Sequence, residues 1–287
     1  MEVIQDPRQL QSHILSLKQM GKTISFVPTM GNLHAGHLSL IDVAKSKANI
    51  VVASIFVNPM QFGPNEDFDS YPRTMQSDLE KLESRGTDFV FTPTINQIYP
   101  LGKDIHTSVE VNRLTNKLCG ASRPGHFKGV TTVVNILFNI VQPNIAVFGK
   151  KDYQQLQVIK TMVADLMMPI EIIGGDIVRE DNGLAMSSRN GFLSPSELDE
   201  ASQLRKVILA AAKKLEEKAP IESIKTNAIA ALTHAGFKVD YFEIVRQSDL
   251  ENAQVGDKNL LIATAAWLGQ PRLIDNLEVN LIDEQSE

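Results

Sequence analysis

Cysteine is almost absent from this chain. Its 287 residues contain only Cys119, so no internal disulfide can form, and a reducing compartment suits the composition. As a nucleophile a lone cysteine has little support; a small filler residue is the plainer reading. An excess of positive charge is also missing: 28 Lys and Arg stand against 34 Asp and Glu, a net charge of −6. The general basic footprint of a nucleic-acid binder is therefore lacking, and any anionic substrate must meet a local basic cluster. No apolar run approaches membrane-spanning length. The opening residues, Met1 to Asp6, lack the basic start and apolar core of a signal peptide. The expectation is a cytoplasmic protein with neither nucleic acid nor membrane as partner. Repeats and low-complexity segments are absent as well. With 43% hydrophobic and 22% charged residues the composition is that of an ordinary globular protein, and the length points to two domains.

One stretch organises the rest. The apolar run Ile24 to Val27 leads into Pro28-Thr29-Met30-Gly31-Asn32-Leu33-His34-Ala35-Gly36-His37, after which Leu40, Ile41, Val43 and Ala44 recur at helical spacing. This predicts a strand, a small-residue turn and a helix starting near Ala35. Free backbone N–H groups at such a start, with the positive end of the helix dipole, favour a phosphate. His34 and His37 are three apart and fall on one side of the first turn, where two imidazoles suit charge developing in phosphoryl or nucleotidyl transfer. Two surface histidines on a turn is the alternative. Zinc fits less well, since no further cysteine or histidine lies at ligand spacing.

Along the chain, Asp6, Pro7 and Gly21 bracket a helix over residues 7 to 20. Ile50 to Val57 reads as a buried parallel strand. Its exit carries Asn58 and Gln61 on the rim where open α/β sheets bind ligands, although an Asn-Pro turn alone explains them too. A long polar loop, Gly63 to Arg73, follows. Residues 74 to 85 form a helix closed by Gly86; Phe89 to Phe91 and Val109 to Val111 are short extended pieces. Arg123 and Lys128 lie in a basic loop that either reaches a substrate or a neighbouring subunit or is merely solvated. A buried helix covers Val130 to Val141 and a strand Asn144 to Phe148. Gly149-Lys150-Lys151-Asp152 then begins a helix that carries Gln155, with Lys151 placed to meet phosphate oxygens unless the lysines form a solvated face. Ile170 to Val178 is a strand leading to Met186-Ser187-Ser188-Arg189, two hydroxyls and a guanidinium suited to clamp an anion. Ser194-Pro195-Ser196-Glu197 is a capping box opening a helix to about Lys218. A helix from Ile221 to Ala235 and strands Val239 to Val245, Leu260 to Leu268 and Leu273 to Leu281 complete the chain. The fold class is α/β: a Rossmann-like parallel-sheet domain over 1–178 and a smaller α+β lid domain over 179–287, hinged near residues 178 to 190.

Four rim segments, PTMGNLHAGH, FVNPMQFGPNEDF, FGKKDYQQL and VREDNGLAMSSRN, occur in this order and at these separations, with RLIDN near the C-terminus. Together they resemble the pantothenate synthetase (pantoate–β-alanine ligase) family over essentially the whole chain, and the H-x-G-H element resembles the wider nucleotidyltransferase superfamily. The resemblance implies condensation of (R)-pantoate with β-alanine to pantothenate, using ATP and Mg²⁺, through a pantoyl adenylate. It places Met30, Gly31, Asn32, Leu33, Ala35 and Gly36 in the ATP site, with His34 and His37 on the phosphates and His37 as proton donor. Gly149, Lys150 and Asp152 would hold ribose and phosphate, and Lys151 would neutralise the transferring charge. Val178 would contact adenine, and Met186, Ser187, Ser188 and Arg189 would close over the triphosphate. Gln61 and Gln155 would bind pantoate, Gln61 also lying near β-alanine. A homodimer is a further family expectation. Two departures stand out. Asn32 replaces a frequent alanine, which puts the adenine end of the pocket in question. Ser77 precedes Asp78 where some members carry paired aspartates linked to Mg²⁺, which makes a protein metal ligand doubtful. The rival functions are a related nucleotidyltransferase that consumes a phosphorylated co-substrate, and a non-catalytic nucleotide-binding regulator.

Overall fold

The computed structural model describes residues 1–64 and 66–281; Asn65, within the expected polar loop, lies outside the described residues. The chain divides into two compact units: Met1–Thr115, Arg123–Lys150 and Gln155–Ile177 form the first, while Asn116–Ser122, Lys151–Gln154 and the chain from Val178 onward form the second.

In the first unit, β1 (Glu2–Ile4) leads to α1 (Pro7–Gln19), where the Asp6 carboxylate caps the helix by accepting from Gln9 N at 2.8 Å. Then come β2 (Ile24–Thr29), α2 (Ala35–Lys47), β3 (Ile50–Ile55), a 3₁₀ turn (Pro59–Gln61), α3 (Met75–Ser84), β4 (Phe89–Phe91) and the single-turn α4 (Ile95–Ile98). After α5 (Leu118–Ser122) in the second unit, the first resumes with α6 (His126–Val141) and β5 (Ile145–Gly149). A 3₁₀ turn (Lys150–Asp152), α7 (Tyr153–Asp165) and β6 (Glu171–Gly175) complete the set.

All six strands pair in parallel in the order β1-β4-β3-β2-β5-β6. Helices are required on both faces, because the central strands β2 and β3 are buried on both sides. Leu40, Ile41 and Ala44 of α2 and Leu82 of α3 bury against Val27, Val51, Ala53 and Val90. Phe138 of α6 meets Phe26 of β2 and Phe148 of β5 edge to face, with centroids 6.4 and 6.3 Å apart. The chain leaves β2 for β3 on one side and later returns to place β5 on the other. The carboxyl ends of β2 and β5 therefore flank a topological switch point, the position where such sheets open a ligand crevice.

Several boundaries depart from the sequence reading. Val109 to Val111 forms no strand; its backbone is held by α6 instead, Thr132 Oγ1 accepting from Val109 N at 3.0 Å. The sixth strand stops at Gly175 rather than Val178. Residues 150–152 make a 3₁₀ turn before the α-helix proper begins at Tyr153.

The second unit holds α8 (Pro195–Glu216), α9 (Ile221–His234) and the antiparallel sheet β7 (Lys238–Arg246), β8 (Asn259–Trp267), β9 (Arg272–Asn280). Ser194 Oγ accepts from Glu197 N at 3.3 Å while Glu197 Oε2 accepts from Ser194 N at 2.8 Å, so the expected capping box starts α8. Leu204, Ile208 and Leu215 of α8 and Leu232 of α9 pack with Phe242, Ile244 and Ile262 of the sheet.

Candidate active site

Most amides of the turn after β2, expected to be free for a phosphate, are engaged within the chain. Gly31 N donates to Thr29 Oγ1 at 3.2 Å. Asn32 N and Leu33 N donate to Asp78 Oδ2 and Oδ1 at 2.9 and 2.8 Å. His34 N donates to His37 Nδ1 at 3.4 Å, and Gly36 N to His34 Nδ1 at 3.2 Å. The correction has a clear cause: buried amides must be satisfied, and here the chain supplies the acceptors itself.

What the turn offers instead is its imidazoles. His34 is the N-cap of α2 and His37 completes the capping box, leaving the rings 4.1 Å apart between centroids. In a neutral imidazole one nitrogen accepts and the other carries the proton. With Nδ1 accepting from backbone in both rings, Nε2 is the protonated, donating atom of each. The shared direction expected from their spacing is thus realised, with a fixed tautomer added.

The exit of β3 lies beside that of β2 in the sheet. Asn58 caps its 3₁₀ turn, Oδ1 accepting from Met60 N at 3.2 Å and from the buried Tyr99 hydroxyl at 2.7 Å. The Asn58 amide donates to Gln61 Oε1 at 3.0 Å and to Gly129 O at 3.1 Å, and Gln61 Nε2 approaches Met30 Sδ at 3.2 Å. Gly129 is needed because a Cβ there would overlap the Met60 carbonyl and lie 2.6 Å from Gln61 N. From the loop side, His126 Nδ1 lies 2.8 Å from Gln61 O. Arg123 donates to both oxygens of Glu66 at 2.7 and 2.6 Å. Burial pushes the Glu66 carboxyl up, but the Arg123 hydrogen bond and charge outweigh it and leave the group below its ordinary 4.5. Arg123 therefore braces the Gln61 loop.

Of the other expected residues in the first unit, Gly149 ends β5, Lys150 pairs with Asp176 at 2.9 Å, and Gln155 is half-buried on the first turn of α7. The second unit holds the remainder. Lys151 lies 3.6 Å from Asp152, and its carbonyl accepts from Asn276 Nδ2 at 2.8 Å. Val178 O accepts from Met186 N at 3.0 Å, closing a small hairpin through Gly183, which has φ +91°. Arg179 grips the buried Asp275 with two hydrogen bonds of 2.8 and 2.9 Å. Ser187 Oγ accepts from Arg189 N at 3.2 Å, so the Met186, Ser187, Ser188, Arg189 segment is a hydrogen-bonded turn leading to Asn190. Cys119, the expected filler, is half-buried with its Sγ 3.2 Å from the Tyr241 hydroxyl and 3.5 Å from Arg272 Nη1.

Sequence reasoning missed Asp78 as an anchor, together with Lys81, Tyr99 and Gly129. The contacts that tie them to the site reach partners tens of residues away, which leaves no local signal. Among the described residues no group of three or more His, Cys, Asp or Glu side chains is placed to hold a metal ion. No helix among the described residues is long and apolar enough to cross a membrane.

Comparison with known proteins places this geometry. The family pattern described as Pantoate-beta-alanine ligase matches residues 2–278. A pantothenate synthetase of Shewanella halifaxensis is 54% identical over 272 residues, covering 95% of this chain and 96% of the relative. One from Shewanella loihica is 52% identical over 277 residues, covering 96% and 98%. Among solved structures, a pantothenate synthetase from Thermus thermophilus superposes with a TM-score of 0.91 at 40% identity, covering 98% of this chain and all of the other. A pantoate-beta-alanine ligase from Francisella tularensis, complexed with beta-gamma ATP and beta-alanine, gives 0.81 at 36% identity with 97% of each chain covered.

Proposed function

Because the chain belongs to the pantoate–β-alanine ligase family, we propose that it condenses (R)-pantoate with β-alanine to pantothenate, converting ATP to AMP and diphosphate. A pantoate carboxylate oxygen attacks the α-phosphorus, the bond to the bridging oxygen breaks, and diphosphate leaves. The β-alanine amine then attacks the carbonyl of the pantoyl adenylate, an amide bond forms, and AMP departs. Adenylation supplies the leaving group that a carboxylate lacks, so no enzyme nucleophile is needed and Cys119 has no part in the chemistry.

The observation that carries this reading is the paired imidazole cap at the switch point, with two Nε2–H donors fixed by backbone hydrogen bonds. Donors fixed in advance where charge develops are worth most in a site that excludes water. In this assignment His34 and His37 meet the phosphates, His37 also supplying a proton, on a turn made by Met30, Gly31, Asn32, Leu33, Ala35 and Gly36. Lys151 neutralises the transferring charge, with Gly149, Lys150 and Asp152 near ribose and phosphate. Val178 contacts adenine, and Met186, Ser187, Ser188 and Arg189 bind the triphosphate. Gln61 and Gln155 hold pantoate hydroxyl and carboxylate oxygens, and Gln61 lies near β-alanine.

The described residues do not fit a protein cage for Mg²⁺, since no cluster of ligating side chains exists and both Asp78 oxygens accept from backbone. Mg²⁺ belongs with the ATP phosphates and water, its common habit. The single cysteine supports a cytoplasmic setting, and the family supports a homodimer, which sedimentation tests directly.

The deciding assay is diphosphate release from Mg·ATP and pantoate, with and without β-alanine, alongside detection of AMP and pantothenate. Pantoate-dependent diphosphate, with pantothenate appearing only on addition of β-alanine, is the expected result. Folded protein that binds ATP but releases no diphosphate with pantoate would sink the ligase reading.

A further inference from the structure

We propose that Asp78 is a positioning residue for the adenylation step, acting with Lys81 as a grip on the backbone that carries His34 and His37. The inference rests on the ligase reading for its kinetic part and on geometry alone for the rest. Asp78 is wholly buried on the first turn of α3. Its Oδ2 accepts from Asn32 N at 2.9 Å and from Thr74 Oγ1 at 3.0 Å; its Oδ1 accepts from Leu33 N at 2.8 Å. One helical turn on, Lys81 Nζ donates to Leu33 O at 2.7 Å. The same helix face thus takes two successive N–H groups and supplies the donor for the carbonyl that follows them, immediately before His34.

The backbone is shaped for this grip. Gly31 and Asn32 have φ of +84° and +49°, a left-handed pair that turns successive N–H groups toward one point. Such a concavity ordinarily collects an anion from outside. Here the anion is the protein's own carboxylate. A Cβ at position 31 would lie 3.0 Å from Asp78 Oδ2, so only glycine admits both the turn and the carboxylate. Asparagine is among the few other residues that adopt a left-handed conformation readily, which suits Asn32 to this turn.

Burying a carboxylate is costly unless its oxygens are satisfied, and three donors satisfy this one. With about four acceptor sites on a carboxylate, these three donors leave at most one for a cation. The structure therefore assigns it to backbone placement instead of metal binding. A turn released from the grip carries its imidazoles out of register, and misplacement of about 1 Å can cost on the order of 10²-fold in rate.

The test compares Asp78→Asn and Lys81→Met with the wild type. An asparagine amide keeps the size but presents an N–H to one of the backbone N–H groups, and methionine keeps most of the lysine stem without its ammonium. In both variants, single-turnover diphosphate release at saturating Mg·ATP and pantoate should fall by about 10- to 100-fold. KM for pantoate and the Mg²⁺ midpoint should stay near their wild-type values. In ligand-free protein, amide exchange at residues 32 and 33, read by NMR, should be slow in the wild type and faster in Asp78→Asn. Wild-type release in a folded Asp78→Asn protein, or unchanged exchange at those amides, would overturn the proposal. So would a raised Mg²⁺ midpoint with full rate at saturating metal, which would make Asp78 a metal ligand. If Asp78→Asn does not fold, Lys81→Met decides: slowed release with unchanged pantoate KM supports the grip, and full release defeats it. Wild-type protein that releases no diphosphate defeats the ligase reading, while amide exchange still judges the grip.

Discussion

His34 and His37 stand 4.1 Å apart between ring centroids, each turning Nδ1 onto a backbone N–H of the helix start they share. The two rings thus serve as caps at one nitrogen and present a donor at the other, and substitution can separate these duties. His34→Asn should preserve the cap, because asparagine is a strong N-cap, whereas His34→Ala should also lose about 1 kcal/mol of stability. Both should slow adenylation by about 10²-fold, the scale of a lost transition-state donor. Denaturant unfolding and diphosphate release measure the two effects separately. His37→Ala should show at least the same kinetic loss, and near wild-type adenylation would remove it from the reaction.

Gln61 is held by Asn58, and Asn58 in turn by the Tyr99 hydroxyl. Gln61→Ala should raise KM for pantoate by about tenfold, the equivalent of one hydrogen bond worth roughly 1.4 kcal/mol. Tyr99→Phe should cost about 1 kcal/mol in stability and raise the same KM with little change in KM for ATP. Steady-state kinetics in the two substrates separately make the comparison; an unchanged pantoate KM in Gln61→Ala counts against its role.

Gly129 lets α6 approach the turn that carries Gln61, and a methyl there has nowhere to go. Gly129→Ala should destabilise by about 1–3 kcal/mol and weaken pantoate use. Gly191, where an added Cβ would meet nothing within 4 Å, is the control for stability and should change by no more than about 0.5 kcal/mol as alanine.

The Glu66 carboxyl titrates below its ordinary 4.5 because Arg123 outweighs the effect of burial. A depressed folded-state value means the unfolded chain takes up the proton first as pH falls. The contribution of this pair is therefore complete above the ordinary value and is lost as pH drops toward the folded one. Glu66→Gln should lower Tm at neutral pH, and the gap from wild type should close below about pH 4. Thermal melts across pH 3 to 7 would show it, and a gap that persists unchanged into acid would exclude the pair as its source.

Much of the fold was legible because its signals are local. Asp6 with Pro7, Ser194 with Pro195 and Glu197, and the glycines at 86 and 236 mark helix ends within a few residues, and the caps form as read. The apolar runs at Ile24 and Ile50 gave central strands. β1 escaped notice because three residues with one buried side chain carry no pattern. Val109 to Val111 looked extended, yet its N–H went to Thr132 on a helix rather than to a ladder. In the site, the histidine spacing was readable, but the consumption of the turn's amides was not. Asp78 reaches back 46 residues to Asn32, and the interval has no periodicity to announce the pairing. The left-handed backbone of Asn32, φ +49°, likewise had no sign in the sequence.

The hydrogen bond from Asn276 to the Lys151 carbonyl bears on how this enzyme can be recombined with its relatives. Lys151 sits in the middle of the chain, yet its backbone is fastened by a residue on the last strand. A chimera joined at residue 178 would draw the lysine from one parent and its fastening from another. Crossovers that keep residues 151–154 and β9 from the same parent should yield active hybrids more often, which makes the tempting boundary between the two halves a poor place to splice.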